Sequence, residues 1–244
     1  MVRVLHRKGV AMIELIFAIV IMAFALMSAP MLIHQSVKSG YVALQQESIN
    51  VLASQLNLLL TKEWDVSNAN PRIPPVVLTV DSGNSDLDMV DLTTARRVGV
   101  PMSSWRAFVA STGGVINAVD SSEFGEGKDS IGEPLDDIDD YHNKVTTLKG
   151  DGSAGGSNYI DLNISLKTVV AFGGDSPDGN TYNSSNIKFN NPFNSTPSNG
   201  TTNIKLVSVN LSTTNEAEEL SKNITLSAFM CNIGHYKFTP PRDY

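Results

Sequence analysis

Residues Val10 to Ile33 form a run of 24 residues whose sole charge is Glu14. At about 1.5 Å per residue a helix of this length crosses a hydrocarbon core of ~30 Å. Such a helix satisfies its own backbone hydrogen bonds, which lipid does not do. No other feature constrains the chain as much, because a folded head must be built from the residues beyond Ile33. Arg3, Arg7 and Lys8 precede the run. That cluster keeps the leader cytoplasmic and sends the C-terminal part across the membrane.

The rest of the 244 residues is rich in Asn, Ser, Thr, Gly and Asp, with short apolar stretches. It is long enough for one modest core, since domains of about 100–150 residues are common. The formal net charge is −7 and the remaining cations are scattered. Nucleic-acid binding is not indicated, because phosphate contacts need clustered Lys and Arg. With Cys231 as the single cysteine, an internal disulfide is excluded. Its apolar surroundings, LSAFMCNIG, read as those of a buried, unreactive thiol, with an intermolecular bridge as the alternative.

Four identities compete for the N-terminal run. A secretory signal has an apolar region of about 7–15 residues and an A-x-A-like cut site. Here the run is longer, and the nearest small residue, Ala29, is followed by Pro30. A lipoprotein signal needs a cysteine just after the run, where this chain has none. A plain anchor leaves Glu14 unexplained, since a carboxylate deep in a spanning helix costs roughly 2.5–3.5 kcal/mol on insertion scales.

The fourth identity rests on Arg7-Lys8-Gly9-Val10-Ala11-Met12-Ile13-Glu14-Leu15-Ile16. This segment resembles the class III signal of type IV prepilins and type II secretion pseudopilins. The resemblance covers about the first 30 residues of the chain. It implies cleavage by a prepilin peptidase after Gly9, N-methylation of Val10, and a role in assembly for Glu14 as the fifth mature residue. Pro30 corresponds to a helix-kinking proline seen in many members. Val10 departs from the Phe that often starts the mature chain. The implied partners are the peptidase, other pilin or pseudopilin subunits and an inner-membrane assembly platform. The implied location is a bacterial inner membrane, single-pass with the head periplasmic, and then a pilus, pseudopilus or cell surface. A carboxylate four residues from the new amine lies one helical turn away on the same face, where it can meet a cation.

Beyond His34 the helical period continues through Val37, Tyr41, Leu44, Leu52, Leu56 and Leu59. It stops near Lys62, before the breaker-rich WDVSNANPRIPP. The expected organisation is a leader over 1–9, a transmembrane half of one long helix over 10–35, an amphipathic half over 36–62 and a β-rich head over 63–244. Strand-like runs are Val76–Val80, Trp105–Ala110, Tyr159–Phe172, Ile204–Leu211 and Ile224–Cys231, with a short helix expected within 86–99. Lys205, Val207, Val209 and Leu211 alternate with Leu206, Ser208 and Asn210, and NEAEELSKN links this strand to ITLSAFMC as an antiparallel pair. The fold class is therefore α+β: a long N-terminal helix packed on an antiparallel sheet, pilin-like in layout.

Three head segments invite chemistry. Asp136, Asp137, Asp139 and Asp140 are candidate Ca²⁺ ligands, a cation that takes several oxygens. The EF-hand spacing is absent, so a solvated acidic loop is the plainer reading. Some pseudopilins carry a calcium site, but none of its positions can be matched here. The glycines of KGDGSAGGSN, 149–158, lack phosphate-loop order and read as a hairpin loop. Asp161-Leu162-Asn163-Ile164-Ser165 matches a bacterial N-glycosylation acceptor, a match that an Asn-rich chain also produces by chance. His6, His34, His142 and His235 stand in no HExxH or triad-like context, and GxSxG is absent. No cofactor beyond the calcium candidates is expected. The leading expectation is a structural filament subunit rather than an enzyme. An adhesin-like binding head on the same stem is the alternative, and a signal-anchored periplasmic enzyme the third.

Overall fold

The computed structural model describes residues 8–69, 77–88, 90–91, 96–97, 116–128, 135–148, 163–179, 181–191, 193, 200–214 and 221–233. The chain divides into two units, Met1–Glu47 and Ser48–Tyr244. One helix, α1, runs over Lys8–Leu59 with Pro30 inside it. Its apolar segment is long and apolar enough to cross a membrane, and no other helix among the described residues meets that test. The helix ends three residues before the expected Lys62, where Thr61 and Lys62 donate to Leu58 and Leu59 and close a turn.

The expected apolar stripe is buried only in its last part. Leu52, Leu56 and Leu59 lie in the core, with Ser48 buried one turn before them, whereas Val37 is exposed and Tyr41 and Leu44 are half-buried. A 3.6-residue period marks a face but not the extent of its partner, so the amphipathic half narrows to its final turns.

The second unit holds a four-stranded antiparallel sheet. β1 (Val90–Asp91) and β2 (Arg96–Arg97) form a separate two-stranded antiparallel pair. β3 (Val145–Leu148), β4 (Asn163–Gly173), β5 (Ile204–Thr214) and β6 (Asn223–Cys231) then pair in simple sequence order. The long strands fall where β-branched and apolar residues alternate with polar ones. The expected pairing of the last two is observed, with Val207 opposite Ala228 and Val209 opposite Leu226. Period-2 geometry sends one set of residues to the core. Leu166, Val170 and Phe172 of β4 and Val207, Val209 and Leu211 of β5 are buried with Leu52, Leu56 and Leu59 of α1. The other face is polar toward one end, where Ser208 bonds Ser227 and the Asn210 amide donates to Asn223 and Thr225, and carries Leu206 and Phe229 toward the other.

Among the described residues of 86–99 lie the end of a short 3-10 helix, Ser85–Asp88, and the paired strands β1 and β2. Two expectations change. The run Val76–Val80 contributes an isolated bridge, Thr79 with Asn117, and is anchored by Asn232, which accepts from the Leu78 N–H and donates to the Leu78 carbonyl. Cys231 is half-buried at the end of β6 rather than fully enclosed. Trp105–Ala110 and the loop 149–158 lie outside the described residues, as does Asp161 of the glycosylation match, whose Asn163 is exposed on β4.

Because the core begins at Ser48, a fragment starting at Val37 is expected to fold as a soluble monomer. Size-exclusion chromatography and circular dichroism check this; an aggregated or unfolded fragment would place the head boundary upstream.

Candidate functional site

Two groups of residues carry chemistry, one at the start of α1 and one inside the head. Lys8, Gly9 and Val10 form the first turn of α1. Arg3 and Arg7 lie outside the described residues. Glu14 follows Val10 by four residues, so a rise of about 6 Å separates their levels. Around Glu14 the helix is apolar on every side: Met12, Ile13, Leu15, Ile16 and Phe17 are all exposed, as are Phe24 and Leu26 further along. A helix hydrophobic all round belongs in lipid or in the core of an assembly. Gly9 weakens the helix at that position by roughly 1 kcal/mol relative to Ala.

The head contains a buried ionic centre that sequence reading did not anticipate. Lys205 lies on the inward face of β5 and its side chain is 0% exposed. Its Nζ donates to the Trp64 carbonyl at 2.7 Å, to Asp139 Oδ2 at 2.5 Å and to Asp65 Oδ2 at 3.3 Å. The ammonium stands 4.0 Å from the Trp64 ring centroid and 5.3 Å from those of Phe124 and Phe172. A desolvated cation over aromatic faces gains about 2 kcal/mol. The only sequence signal for this burial is phase, because Lys205 shares the alternation of Val207, Val209 and Leu211.

Each carboxylate is held by its own local structure. Asp65 follows the end of α1 and caps the helical turn Val66–Ala69, its Oδ1 accepting from Ser67 N. Its Oδ2 accepts from Val119 N at 2.9 Å as well as from Lys205. Asp139 opens the 3-10 turn Asp139–Tyr141, whose N–H groups at 139 and 140 donate to Asp137 Oδ1. Burial pushes the Asp139 carboxyl well above the usual carboxylate range, against the opposing pull of Lys205; Asp137 and Asp65 push it further up. Asp139 Oδ1 is buried and makes no hydrogen bond among the described residues.

The four candidate calcium ligands are thus divided. Asp136, Asp137 and Asp140 bring one carboxylate oxygen each within 4.8 Å of one another, close enough to share a cation. Asp139 turns away to Lys205. Asp137 and Asp140 also close the loop: Asp140 accepts from the Asp136 and Gly127 N–H groups, and the Ile138 N–H bonds back to the Glu63 carbonyl. Turn closure thus occupies one carboxylate of the run at Asp137 and another at Asp140.

Family models, curated proteins and solved structures yield no match to this chain.

A third feature is a cavity of about 570 Å³ beyond the ends of β4 and β6, walled by Tyr182, Phe189, Phe229 and Ile233, with Cys231 on its lining. Phe229 and Phe189 are half exposed there. Its polar floor is internally satisfied, because Asn232 donates to Asn203 and Asn203 donates to Asp175.

Proposed function

We propose that the chain is a minor pilin or pseudopilin, cut by a prepilin peptidase after Gly9 and assembled into a type IV pilus, type II secretion or DNA-uptake filament through Glu14. The observation that carries this reading is α1 itself. A single helix runs from the Lys8-Gly9-Val10 junction to Leu59, apolar all round through its first half, and Glu14 is the one charge between Val10 and Ile33. A signal-anchor needs the length but has no use for the carboxylate. In a filament, Glu14 pairs with the Val10 amine of a neighbouring subunit and sets the register as the helix leaves the bilayer. The single charge, the basic leader and the β-rich head all agree with a pilin-like layout, with the head delivered across an inner membrane.

Processing tests this directly. The mature protein is expected to begin at Val10 with a methylated amine, read by N-terminal peptide mass analysis of membrane-extracted material. A mature start near Pro30, or a retained leader in a cell with an active peptidase, would overturn the proposal.

The aromatic cavity favours a second reading, in which the pilin-type stem carries a ligand-binding head. Cavities of about 300–1,000 Å³ with apolar walls are the usual form of small-ligand sites. Under that reading Phe229→Ala abolishes surface attachment while filament number is unchanged.

A further inference from the structure

We propose that Lys205 and Asp139 condense into an isopeptide bond that locks β5 to the acidic turn, with Asp65 as proton acceptor. Geometry and burial carry this. Nζ lies 2.5 Å from Asp139 Oδ2. Adding one C–O bond of about 1.2 Å puts the carboxyl carbon at most about 3.7 Å from the nitrogen, close to the ~3–3.5 Å of a near-attack pair. All three side chains are 0% exposed, so water neither competes for the carbonyl carbon nor hydrolyses the product. Trp64, Phe124 and Phe172 wall the site.

The step balances without an outside reagent. A proton moves from Nζ to Asp139, turning the ion pair into a neutral amine beside a neutral acid. Burial favours that exchange because it removes two charges from a poorly polarisable interior. The Nζ lone pair attacks Cγ of Asp139 and forms the C–N bond. Asp65 Oδ2, 3.3 Å from Nζ and fixed by the Val119 N–H, takes the second proton. It returns that proton to the departing hydroxyl, the C–O bond breaks and one water leaves. The product removes one oxygen from a carboxyl whose Oδ1 makes no hydrogen bond among the described residues. It also removes the charge on both partners. A chain with one cysteine gains in this way the covalent closure that an internal disulfide gives other exported domains. The bond joins positions 66 residues apart.

Full-length protein extracted from membranes in detergent, then denatured and digested with trypsin, tests the proposal. The expected product is a branched peptide joining residues 129–144 to residues 189–222. Its mass is the sum of the two less one water, with cleavage after Lys205 blocked and fragmentation placing the link at Asp139. Lys205→Arg keeps the cation but is expected to give only separate peptides. Asp65→Asn is expected to lose most of the branched product. Separate 129–144 and 189–205 peptides from folded wild-type protein would overturn the proposal, whatever the variants do. A water lost only from the peptide containing Asp151-Gly152, where a succinimide forms, would overturn it as well. Linkage at wild-type extent in Asp65→Asn would overturn the role given to Asp65.

Discussion

Replacing Glu14 by Ala is expected to leave membrane insertion and cleavage after Gly9 intact while sharply reducing incorporation into filaments. Removal of the carboxylate relieves its cost of roughly 2.5–3.5 kcal/mol in the bilayer, so the precursor is at least as stable in the membrane. In the proposed assembly the Val10 amine of the neighbour is then left without its counter-ion in an apolar core. Breaking a buried pair by removing one partner costs about 3–5 kcal/mol, or about two to three and a half orders of magnitude in an equilibrium constant. Cleaved protein in membranes, compared with protein in a sheared filament fraction, is the measurement. Equal incorporation of Glu14→Ala and wild type would remove the pairing role.

Compared with Lys205→Arg, which keeps the cation and forms no covalent link, Lys205→Ala is expected to destabilise the head by a similar amount for a related reason. Asp65 and Asp139 stay buried beside each other while their shared cation disappears. The penalty of about 3–5 kcal/mol is a large part of the 5–15 kcal/mol that holds an ordinary domain together. In the Val37 fragment the urea midpoint should fall by about 2 M, taking about 2 kcal/mol per molar for the slope. A triple change, Lys205→Met with Asp65→Asn and Asp139→Leu, should recover most of the loss, since an apolar replacement of a whole buried cluster is often neutral. If the triple variant is no more stable than Lys205→Ala, the loss comes from packing against Trp64, Phe124 and Phe172 rather than from unpaired charge.

Local pattern located the elements that local pattern controls. KLVSVNL and ITLSAFMC alternate cleanly, and both strands lie within a few residues of their expected limits. The long helix is marked by its unbroken apolar run and by the breakers beyond Lys62. β3 carries no such mark: Val145-Thr146-Thr147-Leu148 does not alternate, and its pairing with Lys167 through Ile164 of β4 makes it a strand. In 86–99 local pattern pointed to a short helix but not to the pairing of Val90 with Arg97. The ionic centre was the least legible. Asp65 sits among turn formers, Asp139 among four similar carboxylates, and Lys205 is a lone charge in the apolar phase of a strand. Spacing along the chain says nothing of which carboxylate meets a cation 66 or 140 residues away.

That separation bears on how the head is made. Lys205 draws together the carbonyl of residue 64, a turn at 139 and the start of β5, across gaps of 141 and 66 residues. Contacts so distant are slow to form, because loop-closure entropy precedes any gain from them. In a chain that emerges N-terminus first, residues 48–200 wait without a cation for their buried carboxylates until β5 arrives. β5 is also the strand that lies between β4 and β6, so sheet and charge compensation are completed together. A head lacking β5 would therefore leave Asp65 and Asp139 without the Lys205 ammonium and β4 and β6 without the strand between them.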